Sequence, residues 1–369
     1  MNSESSPFTD SRQRRLRLWL EGQAAESAFL TDPVSVQYLT GFFCQPHERL
    51  MALVMGQDAS VLIVPALEVE AARAAAPGLE VRGWRDGDDL GSLVAGQLGR
   101  PRTLAVEKRH LTLAAADSLA IWVGAARLID AGAQISAMRR IKDEHEVACL
   151  EAAARFTDEV WDAVLAQLAE GLSEREIARL VAAEVHARGC EESFPTLAQS
   201  GPHTALPHLP PQGRRLARGD LVLLDFGAAW RSYKADLTRM AVVGAPSGPV
   251  LELHATVLAA HDAAIAAIAP GVRAGDVDEV ARAVLRNAGR GDEFIHRLGH
   301  GLGLEAHESP GLEPASGLVL EPGMVVTVEP GAYLAGWGGV RIEDDVMVTE
   351  TGSRRLTNSD PGLAVIVGG

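Results

Sequence analysis

Four carboxylates and one imidazole, each in a short and distinctive motif, constrain this chain more than any other feature of its sequence. They are Asp225, Asp236, His300, Glu329 and Glu343. Asp225 ends one apolar run and Asp236 precedes another, a pattern that predicts a hairpin of two strands with both acids pointing inward. Because an unpaired carboxylate is costly to bury, several of them on buried strands call for a shared cation.

The other three residues lie in motifs rich in glycine, proline or acids. His300 lies in a Gly-His-Gly-Leu-Gly segment, Glu329 precedes Pro-Gly, and Glu343 precedes two aspartates. Taken singly, Asp225 could merely begin a turn, and Glu329 could end an exposed strand. A phosphate loop at His300 is excluded because no Lys and Ser/Thr follow with P-loop spacing. Taken in order, the five residues indicate one functional site.

Composition limits the classes of function that fit. A chain of 369 residues should form about two domains. Its formal charge of −15 argues against nucleic-acid or membrane-surface partners, which need a basic face. We find no secretion signal and no apolar run approaching the roughly 18 residues of a membrane span, so we predict a soluble, cytoplasmic protein. Cys44, Cys149 and Cys190 are unpatterned, which predicts reduced thiols.

The chain falls into two zones. In the first, strand-like segments alternate with helical ones, which is typical of an α/β layer. The predicted strands cover residues 51–55, 61–64, 103–106 and 127–129, and the predicted helices cover 67–76, 88–98 and 113–122. Long helices and then acid-bearing strands follow, with the charged segment 138–142 as the predicted linker. We therefore predict an N-terminal α/β domain of residues 1–137 and a second domain of residues 138–369.

The second domain shows signs of an internal repeat. Residues 173–181 align with residues 276–284, since each segment begins with an N-cap residue, Ser173 or Asp276, and places Glu three positions later. This pattern predicts a capping box at the start of both helices. Ligand-type residues follow each copy, so two similar halves would share one site at their interface. The alternative is that any two capped, amphipathic helices look alike.

Further motifs accompany the five residues, namely Ala205-Leu206-Pro207-His208, His296 four residues before His300, and His307-Glu308 after it. The whole set resembles the pita-bread metallopeptidases, the family of methionine aminopeptidase, aminopeptidase P and prolidase. Residues 38–42 and 48–49 resemble the N-terminal domain of the Xaa-Pro peptidases. The resemblance implies an α/β N-terminal domain, an α+β pita-bread catalytic domain with an internal pseudo-twofold repeat, a homodimer, and cleavage before proline.

The resemblance also implies roles for the five residues in binding metal. Asp225 would bind one ion, His300 and Glu329 would bind a second, and Asp236 and Glu343 would bridge the two. Such a hard, oxygen-rich donor set suits a pair of divalent ions, with Mn(II) favoured and Co(II), Zn(II) or Fe(II) as alternatives. The ions would lower the pKa of a bound water and so provide a nucleophile at neutral pH.

Substrate-binding and catalytic residues follow from the same resemblance. Glu329 would also move a proton, and His208 and His307 would act as further catalytic residues. Together with His296 they would surround the substrate, where imidazoles can hydrogen-bond the scissile carbonyl or stabilise an oxyanion. Arg341 is predicted to share a strand face with the second bridging acid, where it would orient a bridging carboxylate or bind a substrate carboxylate.

Three segments depart from the family pattern and are predicted to border the substrate cleft: Arg297-Leu298, Leu209-Pro210-Pro211, and the hairpin tip 231–234. The favoured function is a dinuclear-metal hydrolase that cleaves the Xaa-Pro bond in proline-containing dipeptides. The alternatives are an aminopeptidase P acting on longer peptides, a creatinase-like hydrolase, and a catalytically inactive pita-bread protein that binds peptides. Creatinases lack the metal ligands that this chain keeps, and the full ligand set also argues against an inactive protein.

Overall fold

The computed structural model describes residues 7–124 and 126–367, and the chain divides between Arg139 and Arg140 into two compact units. The first unit combines a six-stranded sheet with helices. Its elements are α1 (Pro7–Gly22), β1 (Ser27–Leu30), α2 (Pro33–Thr40), β2 (Ala52–Met55), β3 (Ser60–Pro65), α3 (Val69–Ala75), β4 (Glu80–Trp84), α4 (Leu90–Leu98), β5 (Thr103–Val106), α5 (Leu113–Val123), β6 (Arg127–Asp130) and α6 (Gly132–Arg140).

The sheet of the first unit is mixed, with the strand order β4-β3-β2-β1-β5-β6. β1 pairs antiparallel with β2 and parallel with β5, so the middle of the sheet joins the two kinds of ladder. All the strands and helices predicted for this zone are present, with ends shifted by at most two residues. α1, β1, α2 and β4 were not predicted. β4 is mostly exposed, so it lacks the apolar alternation by which a strand is recognised.

The charged segment 138–142 contains the boundary that the sequence predicted, because the two units divide between Arg139 and Arg140. The segment is not an exposed connection, since residues up to Arg140 belong to α6, and Met138, Arg139 and Lys142 are buried. Ile135 and Met138, three residues apart, continue the apolar face of the helix through the charged residues.

The second unit consists of long helices and short strands. Its elements are α7 (Glu144–Leu165), α8 (Glu174–Ala187), β7 (Glu191–Glu192), β8 (Leu197–Ser200), β9 (Leu221–Phe226), β10 (Ala228–Trp230), β11 (Tyr233–Lys234), β12 (Leu237–Val243), α9 (Gly248–Ala267), α10 (Ala274–Asn287), β13 (Gly299–Gly301), β14 (Glu308–Leu312), β15 (Val325–Val328), β16 (Gly331–Leu334), β17 (Gly338–Arg341), β18 (Asp344–Val348), β19 (Ser353–Arg355) and β20 (Ala364–Ile366).

This unit repeats one arrangement twice, which is the pita-bread architecture with its internal repeat. In the first half, α7 and α8 precede antiparallel strands in the order β12-β9-β8. In the second half, α9 and α10 precede antiparallel strands in the order β13-β15-β18. The two helix pairs pack on buried apolar clusters that include strands of their own half. The predicted fold class is therefore confirmed.

The helix starts of the two halves differ from the prediction. Ser173 and Glu176 form the predicted capping box at the start of α8. α10, however, begins at Ala274 after Arg273, with no side-chain cap, so Asp276 lies within its first turn. The predicted second capping box was wrong, and the starts of α8 and α10 are 100 residues apart. Tertiary backbone bonds set both helix starts: Glu174 N–H donates to Arg214 O at 3.0 Å, and Ala274 N–H donates to Leu318 O at 2.8 Å.

Helix α9 is long and apolar enough, by length and composition alone, to cross a membrane, which the sequence analysis did not anticipate. Val250, Leu253, Val257 and Ala260 of this helix are buried in the apolar core of the second unit. A core helix meets the same criteria of length and composition, so α9 is weak evidence for a membrane span.

Candidate active site

A cavity of about 680 Å³ in the second unit brings the predicted site residues together. Its lining includes all nine of them: Asp225, Asp236, His300, Glu329, Glu343, His208, His296, His307 and Arg341. Phe194, Pro195 and Leu197 add apolar surface to the same cavity. Residues more than 100 positions apart in the sequence thus meet in one place, while the role of each stays a prediction.

Asp225 lies on the first strand of the predicted hairpin, and Asp236 lies next to the start of the second. β9 and β12 pair antiparallel, with Asp225 opposite Thr238, and Asp236 immediately precedes β12. The hairpin prediction is therefore confirmed, and the hairpin tip carries the short strands β10 and β11. The Asp236 backbone N–H donates to Asp345 Oδ2 at 3.0 Å, which fixes the backbone from which the Asp236 carboxylate projects.

Glycines flank His300 because neighbouring backbone runs close to β13 on both sides. A Cβ atom on Gly299 would lie 2.0 Å from Thr327 O, and one on Gly301 would lie 2.4 Å from Ser309 O. Real side chains do not fit at such distances, so only glycine allows β14 and β15 to pair this closely around the histidine. The Gly-His-Gly motif is therefore a packing requirement that leaves one imidazole facing the cavity.

The orientation of the His300 ring follows from its contacts. Nδ1 lies 3.1 Å from Gly301 O, so that nitrogen carries the proton. Nε2 then faces the carboxylates, 3.3 Å from Glu329 Oε1 and 3.8 Å from Asp236 Oδ2. Glu329 directly follows β15, and its backbone N–H donates to Leu298 O at 2.8 Å. An imidazole held in this way can offer Nε2 to a metal ion.

Arg341 and Glu343 do not share a strand, although the sequence predicted one strand face for both. β17 ends at Arg341 and β18 begins at Asp344, so Glu343 lies in the two-residue connection. The prediction was wrong because the chain changes partner here, since β17 pairs with β16 whereas β18 pairs with β15. Both side chains still line the cavity. Thr238 Oγ1 donates to Glu343 Oε2 at 2.7 Å and fixes that carboxylate.

Burial and crowding oppose the ionisation of the cavity carboxylates. Burial, followed by the charges of Glu343 and Asp225, raises the pKa of Asp236 well above its usual range. Burial, followed by the charge of Glu329, does the same to the pKa of Glu343. Burial also opposes the ionisation of Glu329, but the adjacent His300 ring, when both of its nitrogens carry hydrogen, lowers the pKa of Glu329 to about 2.

The same groups fit a divalent cation. Ligand atoms of Asp236, His300 and Glu343 lie within 4.8 Å of one another. In the part of the chain that the structure describes, Asp225 Oδ1 and Asp236 Oδ1 are buried without a hydrogen-bond partner. A buried anionic oxygen without a donor is costly, and a cation removes both that cost and the repulsion that raises the pKa values. Carboxylate oxygens with one imidazole suit Mn(II), Co(II), Fe(II) or Zn(II).

Three histidines border the cavity outside this donor set. His296 Nε2 lies 2.9 Å from the Tyr333 hydroxyl, and burial lowers the pKa of the imidazole. His307 lies edge-on to His300, with ring centroids 4.1 Å apart, and burial followed by the His300 charge lowers its pKa to about 4. His208 is exposed on an irregular segment. His296 and His307 are therefore neutral at pH 7, with one N–H each. His296 Nδ1–H donates to Arg297 O at 2.8 Å, so of these two rings His307 is the one whose N–H can face a ligand.

The Arg341 guanidinium is engaged by protein groups. Nη2 donates to Asp225 Oδ2, Nε donates to Thr238 Oγ1 at 3.0 Å, and Nη1 donates to the Tyr333 hydroxyl at 3.1 Å. The residue is 3% exposed, so little of the guanidinium remains for a ligand. These contacts argue against the predicted binding of a substrate carboxylate. They show the guanidinium orienting a carboxylate, but that carboxylate is Asp225, which was predicted to bind one ion, and not one of the two predicted bridging acids.

Tyr333, Thr238 and Asp345 support the site and were not singled out from the sequence. The Tyr333 hydroxyl joins a histidine to Arg341, Thr238 joins two of the site residues, and Asp345 holds the Asp236 backbone. Thr238 could have been found, since it is two residues from Asp236 and so shares its strand face. Asp345 also carried a signal, because it belongs to an acidic triplet. Tyr333 carried none beyond its place after the Glu-Pro-Gly motif.

Of the three segments that depart from the family pattern, only the one with Arg297 contributes to the cavity lining. Arg297 lines it, as predicted, while residues 209–211 and 231–234, all of which the structure describes, lie outside the lining. The prediction was wrong for the hairpin tip because it folds onto α7, where the Tyr233 hydroxyl donates to Glu146 Oε1 at 3.2 Å. Residues 209–211 lie outside the lining because the chain turns just before them, and in that turn Pro207 and His208 are the residues that face the cavity.

Fold and site together define a metallopeptidase, and comparison with known proteins identifies its family. The sequence model of Metallopeptidase family M24 matches residues 148–350, and that of the Creatinase/Prolidase N-terminal domain matches residues 12–141. The chain belongs to metallopeptidase family M24, and its two-unit architecture is that of the prolidases.

Similar proteins match over most of the chain. An uncharacterized peptidase of Staphylococcus saprophyticus is 39% identical over 340 residues, which are 92% of this chain and 96% of the relative. The solved Xaa-Pro dipeptidase from Bacillus anthracis is 32% identical with a TM-score of 0.91, covering 97% of this chain and 100% of that one. The X-Pro aminopeptidase from Thermotoga maritima is 30% identical with a TM-score of 0.88, covering 96% and 100%. The chain is thus a prolidase-like metallopeptidase.

Proposed function

We propose that the chain is a dinuclear-metal Xaa-Pro dipeptidase that hydrolyses the bond on the N-terminal side of proline in dipeptides. The observation that carries the proposal is the meeting of buried carboxylates, some with unpartnered oxygens, and several histidines in one cavity. Similarity to the Bacillus anthracis Xaa-Pro dipeptidase supports the choice of substrate. Aminopeptidase P activity on longer peptides is the second candidate, which similarity to the Thermotoga maritima X-Pro aminopeptidase supports.

In this proposal, Asp225 binds one ion, His300 and Glu329 bind the other, and Asp236 and Glu343 bridge both. Among the five proposed ligands, burial and neighbouring carboxylates raise the pKa values of Asp236 and Glu343 most, so these two acids gain most from nearby cations. Mn(II) is the proposed ion, and Co(II), Zn(II) and Fe(II) suit the same donors. When bound, two such ions lower the pKa of a water molecule and polarise the substrate carbonyl.

The remaining side chains bind substrate and handle protons. Glu329, which would also hold a metal ion, would accept a proton and pass it to the departing proline nitrogen. His307 and His208 donate N–H groups to the carbonyl oxygen of the scissile bond as it gains negative charge. His296, held by its contact with the Tyr333 hydroxyl, lines the substrate site. Arg341 acts indirectly by orienting the Asp225 carboxylate.

We further propose that residues 1–137 are an N-terminal domain and residues 138–369 the catalytic domain of a cytoplasmic homodimer. The charge of −15 supports the expectation that neither nucleic acid nor a membrane surface is a partner. Light scattering tests the oligomeric state, and a dimer has twice the chain mass of 39.1 kDa.

The metal-loaded protein should hydrolyse Ala-Pro roughly 10²-fold more efficiently than Ala-Ala, as measured by kcat/KM. Proline forms a tertiary amide with no N–H, and a site shaped for its ring should discriminate against a secondary amide. Chromatographic detection of the released proline or alanine measures both rates. Comparable turnover of Ala-Pro-Ala would reassign the chain to aminopeptidase P activity. No turnover of any of the three peptides, with metal bound, would favour the inactive, peptide-binding alternative.

Removing the metal should destabilise the protein more at pH 8 than at pH 5. In the metal-free protein the pKa values of Asp236 and Glu343 are raised above the value of about 4 that such acids have in an unfolded chain. Above that pH the folded state therefore holds more protons than the unfolded state, and its stability falls as the pH rises. A bound cation replaces those protons.

The expected loss on exhaustive chelation is roughly 5–10 °C in Tm at pH 8, from the linkage of binding to folding. The loss at pH 5 should be smaller, and activity should disappear in both cases. Thermal unfolding with and without chelator at the two pH values measures the difference. A chelation shift that is the same at both, or an activity that survives chelation, would count against the dinuclear site.

A further inference from the structure

His208 reaches the cavity on a turn that no helix or strand supports. Residues 206–209 form a β-turn in which the Leu209 N–H donates to Leu206 O at 2.9 Å. The two central residues, Pro207 and His208, line the cavity. Within residues 7–124 and 126–367, no hydrogen bond reaches the His208 imidazole itself. The position of this side chain therefore depends on what holds the turn.

One buried side chain, Gln199 on β8, holds both ends of that turn. Its Nε2 donates to Leu206 O at 2.7 Å and to Leu209 O at 3.0 Å, and it lies 3.5 Å from Pro207 O. An amide nitrogen has two hydrogens, and the two shorter contacts use both. The reverse orientation of the amide would place its oxygen against carbonyl oxygens. At 1% exposure, Gln199 makes these contacts away from competing water.

Gln199 occupies, in the first half of the repeat, the position that His300 occupies in the second half. Gln199 pairs with Leu223, two residues before the acid near the end of β9. By the antiparallel register of β13 and β15, His300 lies opposite Thr327, two residues before the acid that follows β15. The two halves have therefore diverged here, so that one copy offers an imidazole to the cavity and the other binds a turn at its rim.

The base of the same loop is closed by a second buried group, the Glu174 carboxylate. It accepts from the Ser200 N–H at 2.9 Å and the Gln212 N–H at 2.8 Å, and it lies 2.9 Å from His203 Nδ1. Glu174 thus ties the segment before the turn to the segment after it. Between them, residues 210 and 211 are prolines, which have no N–H to donate. The Leu206 N–H also donates to His203 O at 3.0 Å, but Gln199 is the side chain that binds both ends of the turn.

We propose that Gln199 is a positioning residue that fixes His208 against the substrate by clamping the turn 206–209. The inference rests on the proposed function, in which His208 donates an N–H to the substrate carbonyl oxygen. Gln199 is not part of the cavity lining, so it acts through the turn. Its Oε1 is buried without a partner among the described residues, so the two N–H donors are the part of the amide that holds the turn.

The first test is Gln199→Met, which keeps the length of the side chain and removes both donors. In the metal-loaded enzyme, kcat for Ala-Pro should fall by about 10- to 100-fold, since misplacing a reacting group by roughly 1 Å can cost on the order of 10²-fold. KM and metal content should change little. In a His208→Ala background the same substitution should have almost no further effect, because the clamp then has nothing to position.

A control separates this effect from a general loss of stability. Thr157→Val removes a buried hydroxyl that bonds to Ala153 O and the Ala228 N–H, outside the cavity lining. It should lower Tm without lowering kcat. Gln199→Glu has nearly the same shape but offers no donor when ionised and a single O–H donor when protonated, so it cannot hold both Leu206 O and Leu209 O and should also lower kcat. Equal losses in the wild-type and His208→Ala backgrounds, or no loss in the single variants, would overturn the proposal.

A second readout does not depend on activity. The Cε1–H resonance of His208 can be assigned in the zinc-loaded protein by its absence from the His208→Ala spectrum. It should shift or broaden in Gln199→Met, because the turn is released. If His208→Ala leaves kcat unchanged, the proposed catalytic role of His208 is wrong, and the resonance alone then decides whether the clamp exists. An unchanged His208 resonance in Gln199→Met overturns the clamp in either case.

Discussion

Replacing Asp236 or Glu343 by alanine is expected to remove both metal ions and nearly all activity. Each is assigned to bridge the two ions, so the loss of either carboxylate weakens both sites at once. We expect kcat/KM to fall on the order of 10³-fold or more, because the ions contribute several kcal/mol of charge stabilisation and about 1.4 kcal/mol corresponds to tenfold in rate. Elemental analysis of the purified variants and hydrolysis of Ala-Pro measure the two losses.

Two further variants sharpen this test. Glu350→Ala removes an exposed carboxylate beyond β18 and should keep metal and activity. Glu343→Gln keeps the size of the side chain and an oxygen that can accept from Thr238 Oγ1, but it lacks the negative charge and should also lose metal. Two tightly bound ions in Asp236→Ala or Glu343→Ala would falsify the bridging assignment.

His307→Ala and His208→Ala should keep the metal and lose rate, whereas His300→Ala should lose the metal first. The first two imidazoles are proposed to stabilise charge on the substrate in the transition state, and losing one such donor costs on the order of 10² to 10³ in kcat. His300 instead presents Nε2 to the carboxylates at 3.3 Å and 3.8 Å. Metal content and single-substrate kinetics of the three variants separate the two roles.

The matched control is His186→Ala, which removes an exposed imidazole at the end of α8. It should change neither metal content nor kcat. Equal metal occupancy in the His300, His307 and His208 variants would contradict the division between ligands and substrate-binding histidines. Loss of metal in His208→Ala would also contradict that division, because an exposed side chain on a turn is not expected to hold an ion.

The repeat explains why the site combines residues from distant parts of the sequence. The first half contributes two carboxylates at the ends of β9 and β12, and the second half contributes the equivalent acids at β15 and β18. The backbones of the halves are joined directly, since the Glu343 N–H donates to Thr238 O at 3.2 Å. Equivalent strand ends therefore face one another across the cavity. The position of the candidate site is explained by the symmetry of the fold. Its chemistry also depends on positions at which the two halves carry different residues, such as Gln199 and His300.

Local motifs predicted the elements that carry the candidate site. The hairpin of Asp225 and Asp236 could be predicted because two apolar runs flank a polar tip, and the pairing of two such strands depends on residues that are close in the sequence. The α/β character of the first unit was readable from alternating segments in the same manner. The family followed from the order of the motifs, which the comparisons bear out over residues 12–141 and 148–350.

Predictions failed where distant contacts outweigh a local pattern. Asp276 has the sequence of an N-cap, but α10 begins at Ala274 because its backbone N–H bonds to Leu318 O at 2.8 Å. Arg341 and Glu343 have the spacing of one strand face, but the chain changes strand partner between them. For α10 the decisive partner is a backbone group far away in the sequence. For Arg341 and Glu343 it is the change from a local hairpin with β16 to pairing with β15, which residue spacing does not show.

The sequence by itself determined the fold class, the family and the order of nine candidate site residues, because each depends on a short motif and on its place along the chain. Only the tertiary structure decided how those residues meet: that Asp225 Oδ1 and Asp236 Oδ1 are buried without partners, that Arg341 is engaged by Asp225, and that Gln199 holds the turn of His208. The contact of Arg341 with Asp225 depends on the distance between strands of the two halves, and the contact of Gln199 depends on how a turn of the first half packs against β8. Burial there removes the water that would otherwise pair and screen such groups, so their chemistry is set by packing.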